Sequence, residues 1–266
     1  AAELHARLRG SSDLDLSPAL TRGLGAVEAA LRLFGHGQVF AAFNGGKDAV
    51  AALHLYRAAL ARHFQERGTP MMRPRVLVLA VQDDFGEVQE LIRHTVARYE
   101  LQAVTLEGGL IAGLADCVRD HALARSASAT AAAGSSAAEA EGLPLAWVMG
   151  TREGDPHGSD LETFSPTSEW MPPGMRVNPI LRWDYGQVWS FLRGFELPYC
   201  SLYDFGYTSI GSVGDTFPNP FLRSNSSAPP GYLPAYLLPR EHWGQERAGR
   251  SPGRPSAPAR AEVAAA

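Results

Sequence analysis

Lysine is almost absent from this sequence: of 24 basic residues, only Lys47 is not an arginine. Cysteine is nearly as scarce. Cys117 and Cys200 lie far apart and in no CxxC or Cys/His spacing, so neither a disulfide framework nor a zinc site is expected. Reduced thiols in an intracellular, cytoplasmic setting are the expectation. The chain opens on Ala1 rather than Met, which leaves an organellar location open if an upstream segment is missing. No apolar run approaches the roughly 18 residues of a membrane span, and no basic-then-apolar start marks a secretory signal. A basic patch is missing as well. With a net charge of -4, binding to nucleic acid or to a membrane surface is not expected, and nothing in the sequence calls for an obligate protein partner.

What is present suits a globular protein. The 266 residues, 45% hydrophobic and 20% charged, allow one ordinary domain with additions or two small ones. Residues 1–37 read as an N-terminal helical cover, with one helix over "LSPALTRGLGAVEAALRLF". Ser17 is its candidate N-cap and Pro18 its first residue. From residue 38, apolar runs alternate with helical ones: "QVFAAF", a helix from Asp48 to about His63, "RVLVLAV", "GEVQELIRHTVARY", "LQAVTL", "GLIAGLADCVRDHALA" and "LAWVMG". Short β-branched runs alternating with longer helices predict βαβ units and a parallel sheet. The expected fold is α/β and Rossmann-like: a doubly wound, mainly parallel sheet with helices on both faces. Residues 125–142, almost wholly Ala, Ser, Gly and Glu, read as a flexible low-complexity insertion. Later, "WDYGQVWSFLRGF" predicts a helix capped by Asp184, with Trp183, Trp189 and Phe191 in the core. The residues from 251 on, rich in Pro, Arg and Ala, read as a disordered tail.

The lone lysine sits in "FNGGKD", residues 43–48, between the first strand and the helix after it. Such a turn offers free backbone N–H groups and the positive end of a helix dipole, a ready anion site. Gly45 and Gly46 allow close approach of a phosphate, and Lys47 adds a compact charge. The plainer alternative is an ordinary turn with a solvated lysine. Walker's G-x-x-x-x-G-K-[ST] pattern and G-x-G-x-x-G both fail here. The loop resembles the SGGKDS-like loop of ATP pyrophosphatases, with Asn44 and Ala49 in place of the serines, which implies ATP.

Further along stand "MGTREGDP", "FSPTSEWMPPGMRVNPILRW", "VWSFL", "PYCSLYDFGYTSIGS", "NPFL", "YLPAYLL" and "ERAGR". In this order and with "FNGGKD", they resemble the eukaryotic FAD synthase family, FMN adenylyltransferases of PAPS reductase-like fold, over roughly residues 38–250. The resemblance implies an adenine nucleotide alpha hydrolase-like sheet followed by an irregular C-terminal flavin-binding region. It implies as reaction FMN and ATP giving FAD and pyrophosphate with Mg2+, whose protein ligands are not legible. By the same resemblance Asn44, Lys47, Asp48, Arg152 and Asp155 are the catalytic set, and Phe43, Asn44, Gly45, Gly46, Lys47, Asp48 and Gly150 bind ATP. Arg152, Asp155, Trp170, Arg176, Arg247 and Arg250 serve the flavin and phosphate side, the segment from Phe164 to Arg176 being the flavin-facing loop.

Plainer readings stand beside several of these. Asp48 could cap the helix, Trp170 could pack in the core, Arg152 and Asp155 could be an exposed arginine and a turn-forming Asp-Pro, and Arg247 and Arg250 a solvated tail. Arg182 and Gly86 depart from the family pattern. Two rival functions remain: a PAPS reductase-like enzyme of sulfur-nucleotide metabolism, which would need a nucleophilic cysteine that neither "ADCVRD" nor "PYCSLY" supplies, and a non-catalytic nucleotide or flavin sensor.

Overall fold

Five apolar residues in a row, Val39–Phe43, form β1, and all five are buried. A strand apolar on both sides must be covered on both faces, which places it at the centre of a parallel sheet. The computed structural model describes residues 1–79, 83–106, 113–115, 118–119, 144–156, 158–169, 171–224 and 231–251. Among them β2 (Arg75–Val78), β3 (Gln102–Thr105), β4 (Leu145–Val148), β5 (Phe164–Pro166) and β6 (Gly174–Val177) join β1 in one sheet of order β3-β2-β1-β4-β6-β5. Every neighbouring pair is parallel except β5 with β6.

The expected doubly wound order is what is found. The chain winds outward from β1 to β2 and β3, then returns to lay β4 on the other side of β1. Ala41 is therefore level with both Val76 and Val148. At such a reversal the connections leave in opposite directions, opening a crevice at the carboxyl ends of the two strands.

Helices cover the sheet according to their apolar stripes. α2 (Ser17–Phe34) and α3 (Lys47–Glu66) pack on each other and on β1 and β4. α5 (Tyr185–Gly194) joins α3 on the same side, while α1 (Ala2–Arg9) lies against α2 and α3. α1 was not legible in the sequence. It is held by His5 and Arg9, both of which reach Glu28 of α2. Across the sheet, Phe40, Leu77, Leu145 and Trp147 cluster with Leu106 and Leu114, and α4 (Gly86–Arg98) follows β2.

Caps were read with mixed success. Asp184 caps α5 in a reciprocal capping box with Gln187, and Trp183, Trp189 and Phe191 are buried as expected. Ser17 is not a cap: it is the first residue of α2, whose N-cap Leu16 offers no side-chain acceptor. The amide of Leu16 is instead satisfied by the Asp13 carboxylate, at 2.8 Å. The stretch from Phe164 to Arg176, expected as a loop, ends in strands. β6 pairs with β4, and β5 forms an antiparallel edge where Pro166 is tolerated. Most of the helix expected over residues 109–124, the insertion 125–142 and the tail beyond Ser251 lie outside the described residues.

α3 is buried nearly all round, 16 of its 20 residues being so, and it carries several ionisable groups into the interior, His54 and Arg57 side by side among them. Arg57 Nη1 lies 2.9 Å from His54 Nδ1. Because a guanidinium can only donate, Nδ1 must accept, which places the imidazole proton on Nε2. Burial, and then Arg57, drive the His54 pKa well below its ordinary value, so the native state holds the ring neutral. The unfolded chain protonates it near pH 6.5. The unfolded state therefore binds the extra proton, and stability falls as pH drops through that value. Melting temperature is expected to be lower at pH 5.5 than at pH 7.5. His54→Gln should flatten part of that difference, with buried His63, shifted the same way, supplying the remainder.

The chain divides into two compact units, residues 1–201 and 202–266. The second is built from short 3-10 turns, Val213–Asp215, Pro220–Leu222, Ala235–Leu237 and Arg240–Gln245. Asn219, fully buried, ties them together: its amide donates to Thr208 and to the Gln245 carbonyl, and its oxygen accepts from the Phe221 amide.

Candidate active site

β1 ends at Phe43, and three residues carry the chain into α3. Asn44 is exposed, and its side-chain oxygen accepts the Gly46 amide at 3.1 Å, closing the turn. Gly45 has φ +76° and lies so close to α4 that a Cβ would stand 3.0 Å from Val88 and 3.3 Å from Ile92. Both conditions put strain on any other residue there. Gly46 is the N-cap of α3 and brings no capping side chain. The first-turn amides of a 20-residue helix thus open at the carboxyl edge of β1.

Lys47, the first residue of α3, is not a solvated side chain. It is 2% exposed, its ammonium donates to Asp48 Oδ2 at 2.9 Å, and it stands 5.5 Å over the Tyr185 ring at the start of α5. Asp48 does not cap the helix. Its other oxygen, Oδ1, meets Arg152 Nε at 2.8 Å. Burial pushes the Asp48 carboxyl up, but Lys47 and Arg152 outweigh this and hold it below its ordinary value. One carboxylate therefore clamps two cations that come from different βα connections.

Arg152 reaches Asp48 because the run after β4 folds tightly at the same edge. Gly150 packs against the start of α3, where a Cβ would fall 2.6 Å from the Ala49 amide nitrogen. Arg152 is 6% exposed, and its amide donates to Asp155 Oδ2 at 2.8 Å. The Asp155 amide in turn donates to the Arg152 carbonyl at 3.0 Å. Asp155 thus shapes the turn and fixes the arginine's backbone. The departing Arg182 proves to pair with Glu153, and the Glu153 amide donates to the Leu181 carbonyl.

The structure therefore assembles Phe43, Asn44, Gly45, Gly46, Lys47, Asp48, Gly150, Arg152 and Asp155 at one place, the carboxyl edge of β1 and β4. Arg176 lies on β6, level with Trp147, and donates to the Pro166 carbonyl at 2.9 Å. Trp170 lies outside the described residues. Arg247 and Arg250 belong to the second unit. There Arg250 is no solvated tail residue: it sits against Gly211 and 3.4 Å from Asp215, while Arg247 is exposed. Tyr185, Val88 and Ile92, which buttress the loop, were not anticipated. Periodicity marks them as apolar face but does not say which neighbour they touch.

Among the described residues no group of three His, Cys, Asp or Glu could hold a metal by protein ligands alone. The site offers instead a helix N-terminus and two clamped cations with one carboxylate between them. That is a surface for binding phosphates.

Comparison with known proteins agrees with this geometry. The phosphoadenosine phosphosulfate reductase domain family matches residues 38–218. A protein named "Probable FAD synthase" of Schizosaccharomyces pombe is 30% identical over 234 residues, covering 87% of this chain and 78% of that protein. One of the same name from Caenorhabditis elegans is 33% identical over 248 residues, covering 92% of this chain. The chain spans only 43% of that nematode relative's length. In three dimensions the chain is similar to Candida glabrata FMN adenylyltransferase in complex with FAD and inorganic pyrophosphate. The TM-score is 0.74 at 22% identity, over 95% of this chain and 97% of the other.

Proposed function

We propose, from the premise that this chain belongs to the phosphoadenosine phosphosulfate reductase domain family and within it to the FAD synthases, that it transfers the AMP moiety of ATP to the phosphate of FMN, giving FAD and pyrophosphate. The observation that carries this reading is the bridge from Lys47 through Asp48 to Arg152. It fixes two positive charges beside the N-terminus of α3.

The chemistry asks for little else. A phosphate monoester has its second pKa near 6, so the FMN phosphate is already a dianion at neutral pH and needs no general base. The difficulty is to bring two anions together, hold them in line and neutralise the departing pyrophosphate. In this reading the amides around Gly45, Gly46 and Lys47 cradle the ATP phosphates, with Phe43 and Gly150 forming the floor and wall. Lys47 and Arg152 face the charge that develops on transfer. Asn44 fixes the turn through the Gly46 amide, and Asp155 holds the Arg152 backbone. Arg152, Asp155 and Arg176 serve the flavin side. Mg2+ carried by ATP would be held here by phosphates and water, since both Asp48 oxygens already meet Lys47 and Arg152. Its charge would offset that on the pyrophosphate. The setting proposed is intracellular.

A PAPS reductase-like role needs an accessible nucleophilic cysteine, and among the described residues the one cysteine, Cys200, is 1% exposed.

Incubating the protein with ATP, Mg2+ and FMN and following FAD by chromatography tests the proposal, with riboflavin and sulfate as control acceptors. FAD is expected from FMN only. Lys47→Ala should slow its formation by about 100-fold or more, as loss of one preorganised charge-stabilising group does. No FAD above the Lys47→Ala background overturns the reading.

A further inference from the structure

At the opposite, amino-terminal edge of the sheet, where β2 and β3 begin, lies a cavity of about 290 Å³. Three arginines line it: Arg57 from α3, Arg73 just before β2 and Arg98 at the end of α4. Arg57 is ten residues beyond Lys47 along α3, roughly 15 Å at 1.5 Å per residue, so this cavity is separate from the loop at Asn44–Asp48.

Arg57 is 8% exposed and its guanidinium carbon stands 3.5 Å from the centre of the Tyr99 ring. One terminal nitrogen is spent on neutral His54, and Nε, fully buried, has no acceptor. Burial lowers the Arg57 pKa to about 10, which still leaves it charged at neutral pH. Two other arginines withdrawn from bulk water do find carboxylates: Arg152 pairs with Asp48 and Arg250 with Asp215. Among the described residues none of Arg57, Arg73 and Arg98 has a carboxylate within ion-pair distance. The one carboxylate in the lining, Glu100, is exposed.

An ion taken out of water without a counter-charge is costly, and buried charges are as a rule paired. Here the fork is held rigid, stacked on Tyr99 and tethered to His54, and the two further forks at the rim are solvent-exposed. We propose that this cavity is a binding site for a small oxyanion of the phosphate class, orthophosphate or pyrophosphate, which supplies the missing counter-charge. Planar guanidinium forks match the oxygens of such an anion two at a time. The volume lies at the small end of ligand cavities, which run from roughly 300 to 1,000 Å³, so it suits a small anion better than a nucleotide.

Titration calorimetry with inorganic phosphate at constant ionic strength, against chloride, tests this. The wild-type protein should bind phosphate. The double variant Arg73→Ser/Arg98→Ser, altered only at exposed side chains, should bind it about tenfold more weakly or worse while keeping its circular dichroism. Lys47→Ala should still bind at this site. Failure of the wild type to bind phosphate beyond chloride overturns the proposal. So does unchanged affinity in Arg73→Ser/Arg98→Ser, and so does loss of all binding in a folded Lys47→Ala protein, which would place the anion at the loop. If Lys47→Ala does not fold, the double variant decides alone. None of these readouts depends on FAD formation.

Discussion

Asp48→Ala is expected to abolish measurable FAD formation and to destabilise the protein by about 3–5 kcal/mol, the usual cost of removing one partner from a buried charge cluster. The reason is local. Lys47 and Arg152 are 2% and 6% exposed, and the carboxylate between them meets both at 2.8–2.9 Å. Without it, two buried cations face each other. Each would relax by turning toward water or by shifting its backbone, and both backbones carry the site: Lys47 opens α3, and Arg152 anchors the turn closed by Asp155. Asp48→Asn, which keeps the shape and loses the charge, should lie between wild type and Asp48→Ala in stability but be close to Asp48→Ala in rate. A double-mutant cycle gives the sharper check. Asp48→Ala combined with Arg152→Met should cost clearly less than the sum of the single changes, since the second removes a charge the first has orphaned. Additive costs, or an Asp48→Ala protein with the wild-type melting temperature, would mean the bridge does not hold the site together.

The sequence made the frame of this site legible and left its electrostatics hidden. "VFAAF" followed by "NGGKD" announces a buried strand running into a helix N-terminus, and apolar runs alternating with helices announce a doubly wound, mainly parallel sheet. Those features are local and periodic. Burial of Lys47 is neither: a lysine beside two glycines reads equally well as solvated, and only the Asp48 carboxylate and the Tyr185 ring, 138 residues on in the chain, make it an interior group. For the same reason the clamp on Arg152 was invisible. Nothing in "GTREGDP" says that its arginine will meet the aspartate of "NGGKD". β5 and β6 escaped because their side chains do not alternate and Pro166 and the Pro-Pro pair before Gly174 read as breakers, yet an edge strand tolerates proline. His54 and Arg57 were missed because a helix buried on nearly every side has no polar face to betray them.

The hidden part also explains the one lysine. An arginine at position 47 would have to place a broad planar fork where a compact ammonium is already hemmed in by Asp48 and the Tyr185 ring. At position 152 the demand is reversed, since the side chain must span from the end of β4 to the start of α3, and there the chain uses arginine.

That span works only because β4 and α3 come unusually close, and Gly150 is what permits it. Gly150→Ala is expected to cut FAD formation by about 100-fold while lowering stability by only about 1–3 kcal/mol. An added Cβ would stand 2.6 Å from the Ala49 nitrogen, 2.7 Å from the Asp48 carbonyl carbon and 2.8 Å from its oxygen. All three are backbone atoms of the first turn of α3, so no flexible side chain can swing aside. The strand end and the helix start must separate by most of an ångström. A shift of that size is small for the core but large for a site that must hold two phosphates in line, and it would move Arg152 relative to Asp48. Gly154→Ala is the matched control. It lies four residues on in the same run, is exposed, and an added Cβ would meet nothing within 4 Å. It should leave both rate and melting temperature unchanged. Parallel measurement of FAD formation and thermal unfolding separates the cases: equal activity in the two variants would show that the closeness of β4 to α3 is a packing detail without a part in the reaction, whereas a steep loss confined to Gly150→Ala ties the rate to the position of the Asp48–Arg152 pair.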